Sequence, residues 1–171
     1  MTSKLKVNLI NDAGDNNIIT SDGSGNVTLG NSFPSVGKIG QVVNTVNTTE
    51  YATTSGTYSD ITGLTLNITP SATTSKILVL MQMTNRAHNG SGTNANAEVK
   101  LLRDSTDLQE MSYFAQLTIG NGNPDSLIHS GSHIYLDSPS STSQITYKYQ
   151  GKTNSNFRAF VKNLTLMEVL A

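Results

Sequence analysis

The stretch Leu64-Thr65-Leu66-Asn67-Ile68-Thr69-Pro70 is followed, after Ser71 to Ser75, by Lys76-Ile77-Leu78-Val79-Leu80-Met81-Gln82-Met83-Thr84-Asn85. In the first stretch a period of two separates Leu64, Leu66 and Ile68 from Thr65, Asn67 and Thr69, as in a half-buried strand. Pro70, which cannot donate to a ladder, ends it. The second stretch is apolar on both faces, as expected of a strand covered on both sides. Neither carries a helical period. Working outward, Ile39 to Thr49, Ala97 to Arg103, Leu108 to Ala115, His133 to Leu136, Gln144 to Gln150, Phe157 to Phe160 and Leu164 to Val169 are strand-like. Asp104-Ser105-Thr106-Asp107 reads as a hairpin turn, and Tyr51 to Gly56, Arg86 to Asn96 and Ile119 to Ser126 read as loops. About eight to ten short strands at even spacing define an all-β fold, an antiparallel β-sandwich or jelly roll. The apolar last strand belongs in the middle of a sheet.

Composition agrees. The 171 residues include 20 Ser, 22 Thr and 18 Asn, while charged residues make up only 13% and the net charge is −1. Thr-rich, Gly-containing chains of low charge favour strands and tight turns rather than disorder. No Lys/Arg cluster marks a nucleic-acid face, so no nucleic-acid partner is expected. The absence of Cys removes disulfides and thiolate metal sites. The first residues lack the apolar core of a signal peptide, and Ile77 to Met81 is the longest apolar run, which predicts neither export nor membrane insertion.

Residues 1–36 differ from the rest. Three short strand patterns carry Leu5, Val7 and Leu9, then Ile18 and Ile19, then Val27 and Leu29, with a glycine turn at Asp22-Gly23-Ser24-Gly25. Such short strands cannot bury a core alone and need a partner surface or copies of themselves. Phe33 to Gly37 reads as a linker, and residues 37–171 as one β domain.

Candidate chemistry is sparse. His129 and His133 are four apart, which on a strand is about 13 Å, too far for one metal ion unless copies meet at an axis. Asp104 and Asp107 sit in a turn that favours Asp for backbone reasons. No G-x-S-x-G elbow is present. No catalytic residue, metal site or cofactor is expected, and the chain is read as a non-enzyme. Sugar recognition would use exposed aromatic and amide groups in loops. The candidates are Arg86, His88, Asn89, Asn94, Asn121 and Asn123, together with the aromatic residues Tyr51, Tyr58, Tyr113 and Phe114. Tyr147, Tyr149, Phe157 and Phe160 are simpler as core or subunit-interface residues.

Several pieces in order carry a resemblance: Gly37-Lys38-Ile39-Gly40-Gln41-Val42-Val43, Gly63 to Pro70 running into Ser75-Lys76-Ile77-Leu78-Val79, Lys100 to Thr106, Tyr135-Leu136-Asp137-Ser138-Pro139, and Leu164 to Val169. Over residues 37–171 the chain resembles the C-terminal domains of bacteriophage tail fibres and related surface fibres, particularly of aquatic phages. Asn17 to Leu29 is similar to the short β repeats that precede such domains. The resemblance implies a homotrimeric sandwich, with the tumour-necrosis-factor/C1q jelly roll as one form, displayed on the tail or capsid surface of a virion and made in the host cytoplasm. Residues 1–36 would anchor it to other virion proteins and residues 37–171 would bind host polysaccharide. The chain has no extended shaft, so a short spike, a baseplate component or a capsid decoration without host contact stays open beside a tail fibre.

Overall fold

A computed structural model describes residues 9–11, 13–29, 38–89, 94–118 and 125–170. Every regular element among them is a strand. The chain divides into two compact units, residues 1–38 and 39–171.

In the first unit, β1 (Leu9–Asn11), β2 (Asn17–Ser21) and β3 (Val27–Leu29) form an antiparallel sheet in that order. The β2–β3 turn is built as its sequence dictates. Gly23 and Gly25 take positive φ, and one Asp22 carboxylate oxygen accepts from the Ser24 and Asn26 amides at 2.8 and 3.2 Å. Those bonds, led by that from the Asn26 side chain, hold the Asp22 carboxyl below its usual range. Ile18 and Ile19 are half-buried, whereas Leu9, Ile10 and Val27 are exposed. Leu5, Val7 and the expected linker Phe33 to Gly37 lie outside the described residues.

The second unit holds β4 (Ile39–Asn47), β5 (Tyr51–Thr53), β6 (Ser59–Ile68), β7 (Lys76–Asn89), β8 (Ala95–Arg103), β9 (Thr106–Leu117), β10 (Asp125–Asp137), β11 (Ile145–Thr153) and β12 (Asn156–Val169). One sheet runs β10-β7-β12-β4, with β5 also paired to β12. The other runs β6-β11-β8-β9. The antiparallel pairs are nested: β8 with β9, β7 with β10, β6 with β11, β4 with β12. A long hairpin folded over on itself gives this nesting, so the sandwich is a jelly roll. Tyr147, Tyr149, Phe157, Ile61, Ile77 and Leu164 fill the space between the sheets.

The last strand is central, between β7 on one edge and β4 and β5 on the other, as its apolar sequence predicts. The two expected segments Phe157–Phe160 and Leu164–Val169 are one strand interrupted by a register shift between Ala159 and Lys162. The extra residue changes the parity of the buried positions from Phe157 and Ala159 to Lys162, Leu164, Leu166 and Glu168. A bulge is the one device that keeps the apolar side inward when the sequence pattern slips by one. The Lys162 ammonium fills the gap, donating to the carbonyls of Thr49, Ala159 and Phe160, and burial pushes its pKa down.

Three expectations are corrected. Tyr51 to Gly56 begins as β5 rather than a loop: Tyr51 is buried, edge-on to Phe157 with its hydroxyl 2.8 Å from Ser59 Oγ. β7 continues to Asn89 and β8 begins at Ala95, so Arg86 to Asn89 and Ala95 to Asn96, expected in a loop, are strand; residues 90–93 lie outside the described residues. β10 begins at Asp125, well before His133, because its Ser- and Gly-rich first half pairs residue for residue with β7.

Candidate functional site

The candidate residues gather at the end of the sandwich where β7 stops, β8 and β10 start, and β11 turns into β12. Side chains cross-link these ends. Asn154 Oδ1 accepts from the Asn96 amide at 2.8 Å, and its Nδ2 donates to the Asn94 carbonyl at 3.2 Å. Thr153 Oγ1 donates to Asn96 O at 2.7 Å, and Ser155 Oγ donates to His88 O at 2.9 Å. Asn89, expected as a sugar contact, is fully buried on the inner face of β7. Asn121 and Asn123 lie outside the described residues.

Arg86 and His88 are strand residues, not loop residues. With Asn85, Ala87 and Asn89 buried, the alternation turns Arg86 and His88 to the outer face of the larger sheet. His88 Nδ1 lies 2.9 Å from the Asp125 carbonyl; a carbonyl only accepts, so Nδ1 donates this bond. Arg86 stands directly opposite Arg158 of β12, with Ile128 on its other side. Arg158 donates to Glu50 at 2.7 Å, and the buried Nε atoms of both arginines have no partner among the described residues. Like charges directly opposite on neighbouring strands are unfavourable without a counter-charge. Two facing guanidiniums, of which Arg158 holds the Glu50 carboxylate, form a cationic, donor-rich spot suited to an anionic oxygen ligand. Arg158 carries no sequence signal of its own; only the pairing of β7 with β12 reveals it.

The inner-face histidines are held apart. His129 Nε2 meets the Phe114 carbonyl at 3.1 Å, while its buried Nδ1 and both side-chain polar atoms of Asn85, directly opposite on β7, lack partners among the described residues. His133 lies 2.8 Å from the Tyr149 hydroxyl and 3.1 Å from Gln109 Oε1, and burial pushes its pKa down. Both point between the sheets. Among the described residues no group of three or more His, Asp or Glu is placed to hold a metal.

The acid pair in the β8–β9 turn does not form a joint site. Asp104, at φ 52°, exchanges bonds with Thr146, its amide donating at 2.7 Å and its carboxylate accepting at 2.9 Å. Asp107 binds Lys100 at 2.9 Å. The nearby aromatics are dispersed. Tyr58 lies between the Lys100 and Lys152 ammoniums, each 4.6 Å from its ring. Tyr113 is exposed at φ 61°, a left-handed backbone that turns it outward and leaves Phe114 packed over Gly131, where a Cβ would overlap the ring.

No protein family matches the chain, and no curated protein matches it. Solved structures similar to it include the VP2 subviral particle of infectious bursal disease virus, at TM-score 0.42 and 14% identity over 76% of this chain and 32% of that one. The T13 particle of the same virus gives TM-score 0.41 and 12% identity over 92% and 36%. The dimeric latent PorU of Porphyromonas gingivalis gives 0.34 and 8% over 81% and 14%. The chain thus spans about a third of the length of the virus chains.

Proposed function

We propose that the chain is a structural protein of a virion: a homotrimeric jelly roll, carried as a short tail fibre or spike, that contributes to host attachment by binding acidic cell-surface polysaccharide. The virion part is supported by the resemblance of residues 37–171 to fibre C-terminal domains. The binding part is carried by one observation, Arg86 directly opposite Arg158, with the buried Nε of each unpartnered among the described residues. A carboxylate or sulfate on a glycan supplies a counter-charge, and His88 Nε2 bonds a neighbouring hydroxyl. No bond is made or broken in this role, and no cofactor takes part.

A second reading, capsid or baseplate decoration without host contact, is favoured by the first unit. Its exposed Leu9, Ile10 and Val27 need a partner whatever the sandwich binds. One experiment separates the two. Labelled protein is added to host cells and to their purified polysaccharide, with Arg86→Ala and Arg158→Ala beside it. Host attachment predicts saturable binding that both substitutions weaken and added salt suppresses. Wild-type protein that binds neither cells nor polysaccharide refutes it and leaves decoration.

A further inference from the structure

The two outer faces of the sandwich are chemically opposite. On the smaller sheet, Lys100 pairs with Asp107, Lys148 with Asp60 and Lys152 with Glu98, each at 2.9–3.0 Å; this face is a solvated charge lattice. On the larger sheet the register lines up Leu136, Leu78, Met167 and Val42 in one row across four strands. The next row is Ile134, Leu80, Thr165 and Asn44, and the one after it Ser132, Gln82, Asn163 and Val46. No charged residue occurs in these three rows. The aliphatics stand out from the surface, Ile134 at 68% exposure, Val46 at 59% and Val42 at 52%.

We infer that this face is the contact between copies of the chain. The inference rests on the reading of the protein as a self-assembling virion component, and deepens it by naming the surface. Ile39, Val42, Val46, Ile134 and Leu136 together expose on the order of 500 Å² of apolar area, near the top of the ~300–600 Å² that a lone monomer's largest patch reaches. Adding the half-buried Leu78, Leu80 and Met167 and the amide row brings the face towards the ~800 Å² per partner of a standard interface. Its charge selects the occupant. A neutral apolar surface gains nothing from the charged sheet of another copy, so stacking front to back is ruled out, while the same faces of other copies turned inward on a shared axis are chemically matched. A depression of about 240 Å³ between Leu80, Ile134, Gln82 and Asn163 gives room for an aliphatic side chain from the neighbour. The arginine row at Arg86 and Arg158 lies beyond this patch, at the polar rim where a receptor can reach it.

Light scattering on the full chain tests the face. Wild type should have a mass of at least twice 18.2 kDa at micromolar concentration. Ile134→Glu buries an unpaired charge in the contact and should weaken self-association on the order of 100-fold, giving monomer with unchanged circular dichroism. Thr65→Glu, on the charged sheet opposite Lys148, should leave the oligomer intact. Because the chain has no cysteine, Ser132→Cys and Thr65→Cys provide a second arm independent of folding losses. A short bis-maleimide should link copies through position 132 and not through 65. An oligomeric wild type whose Ile134→Glu variant stays assembled, or which links through 65 and not 132, overturns this face but not self-assembly. A monomeric wild type overturns both.

Discussion

Glu168 closes the jelly roll at the end away from the arginines, and replacing it with Gln gives a sharp prediction. Its side chain is buried on β12. The carboxylate accepts from the Ser71 amide and hydroxyl, both at 2.6 Å, and from Gln41 Nε2 at 2.9 Å. It thereby ties the last strand to the β6–β7 connection and to β4. Burial alone would raise its pKa, but the bonds from Ser71 and Gln41 outweigh burial and hold it at about 2, against 4.5 for a free side chain. A lowering of that size corresponds to roughly 3 kcal/mol in favour of the ionised form. Gln offers one acceptor oxygen and sets an NH2 against donors, so Glu168→Gln should lose about 2–3 kcal/mol at neutral pH and lower Tm by roughly 10 °C. The pH dependence has a definite sign. With its folded pKa depressed, Glu168 contributes fully above pH 4.5, and the contribution fades as pH falls towards 2. Denaturant titrations of both proteins at one fixed protein concentration, at pH 7 and again near pH 2.5, are the assay. A gap at pH 7 that narrows in acid is expected. A gap under about 1 kcal/mol, or one unchanged by pH, would show that these bonds do not hold the strand.

Arg86→Ala should weaken polysaccharide binding while changing stability by less than about 0.5 kcal/mol, or raising it slightly as Arg158 loses a like-charged neighbour; unfolding midpoints and binding isotherms report both. Gly63 has φ +86°, and a Cβ there would overlap Asn47 of β4, so Gly63→Ala should cost about 2–4 kcal/mol. An unfolding midpoint equal to wild type refutes that close approach. His133, its pKa depressed by burial, contributes stability above pH 6.5 that is lost as pH falls below it; His133→Gln should flatten that part of the pH–stability curve. Deleting residues 1–38 should leave a folded sandwich that no longer joins the particle, and incorporation of the truncated protein would contradict the anchoring role.

The fold was legible where one period persisted. Leu64 to Ile68 and Ile145 to Tyr149 alternate cleanly, Ile77 to Met81 is an unbroken apolar run, and each is a strand. The first half of β10 was not legible. Ser126 to Ser132 is rich in Ser, Gly and His, and its pairing is set by β7 rather than by its own burial, since β10 is an edge strand. β5 was missed because three residues carry no period, and Tyr51 is buried by Phe157, a hundred residues further along the chain. Lys162 and Glu168 were invisible as core residues because charge normally predicts exposure; a bulge and a ring of donors make their burial tolerable. At the candidate site, the sequence around Arg86 and His88 reads as a loop and is a strand, and Arg158 comes into view only through the register of β12 on β7.

Cryo-electron microscopy of the intact particle tests the central claim most directly. The account predicts density for the β4–β12 jelly roll at the virion surface, in a threefold cluster with the β10-β7-β12-β4 faces turned inward. Density at a tail tip supports attachment, and a regular lattice over the capsid supports decoration. Purified particles that contain no copy of the chain would contradict the claim.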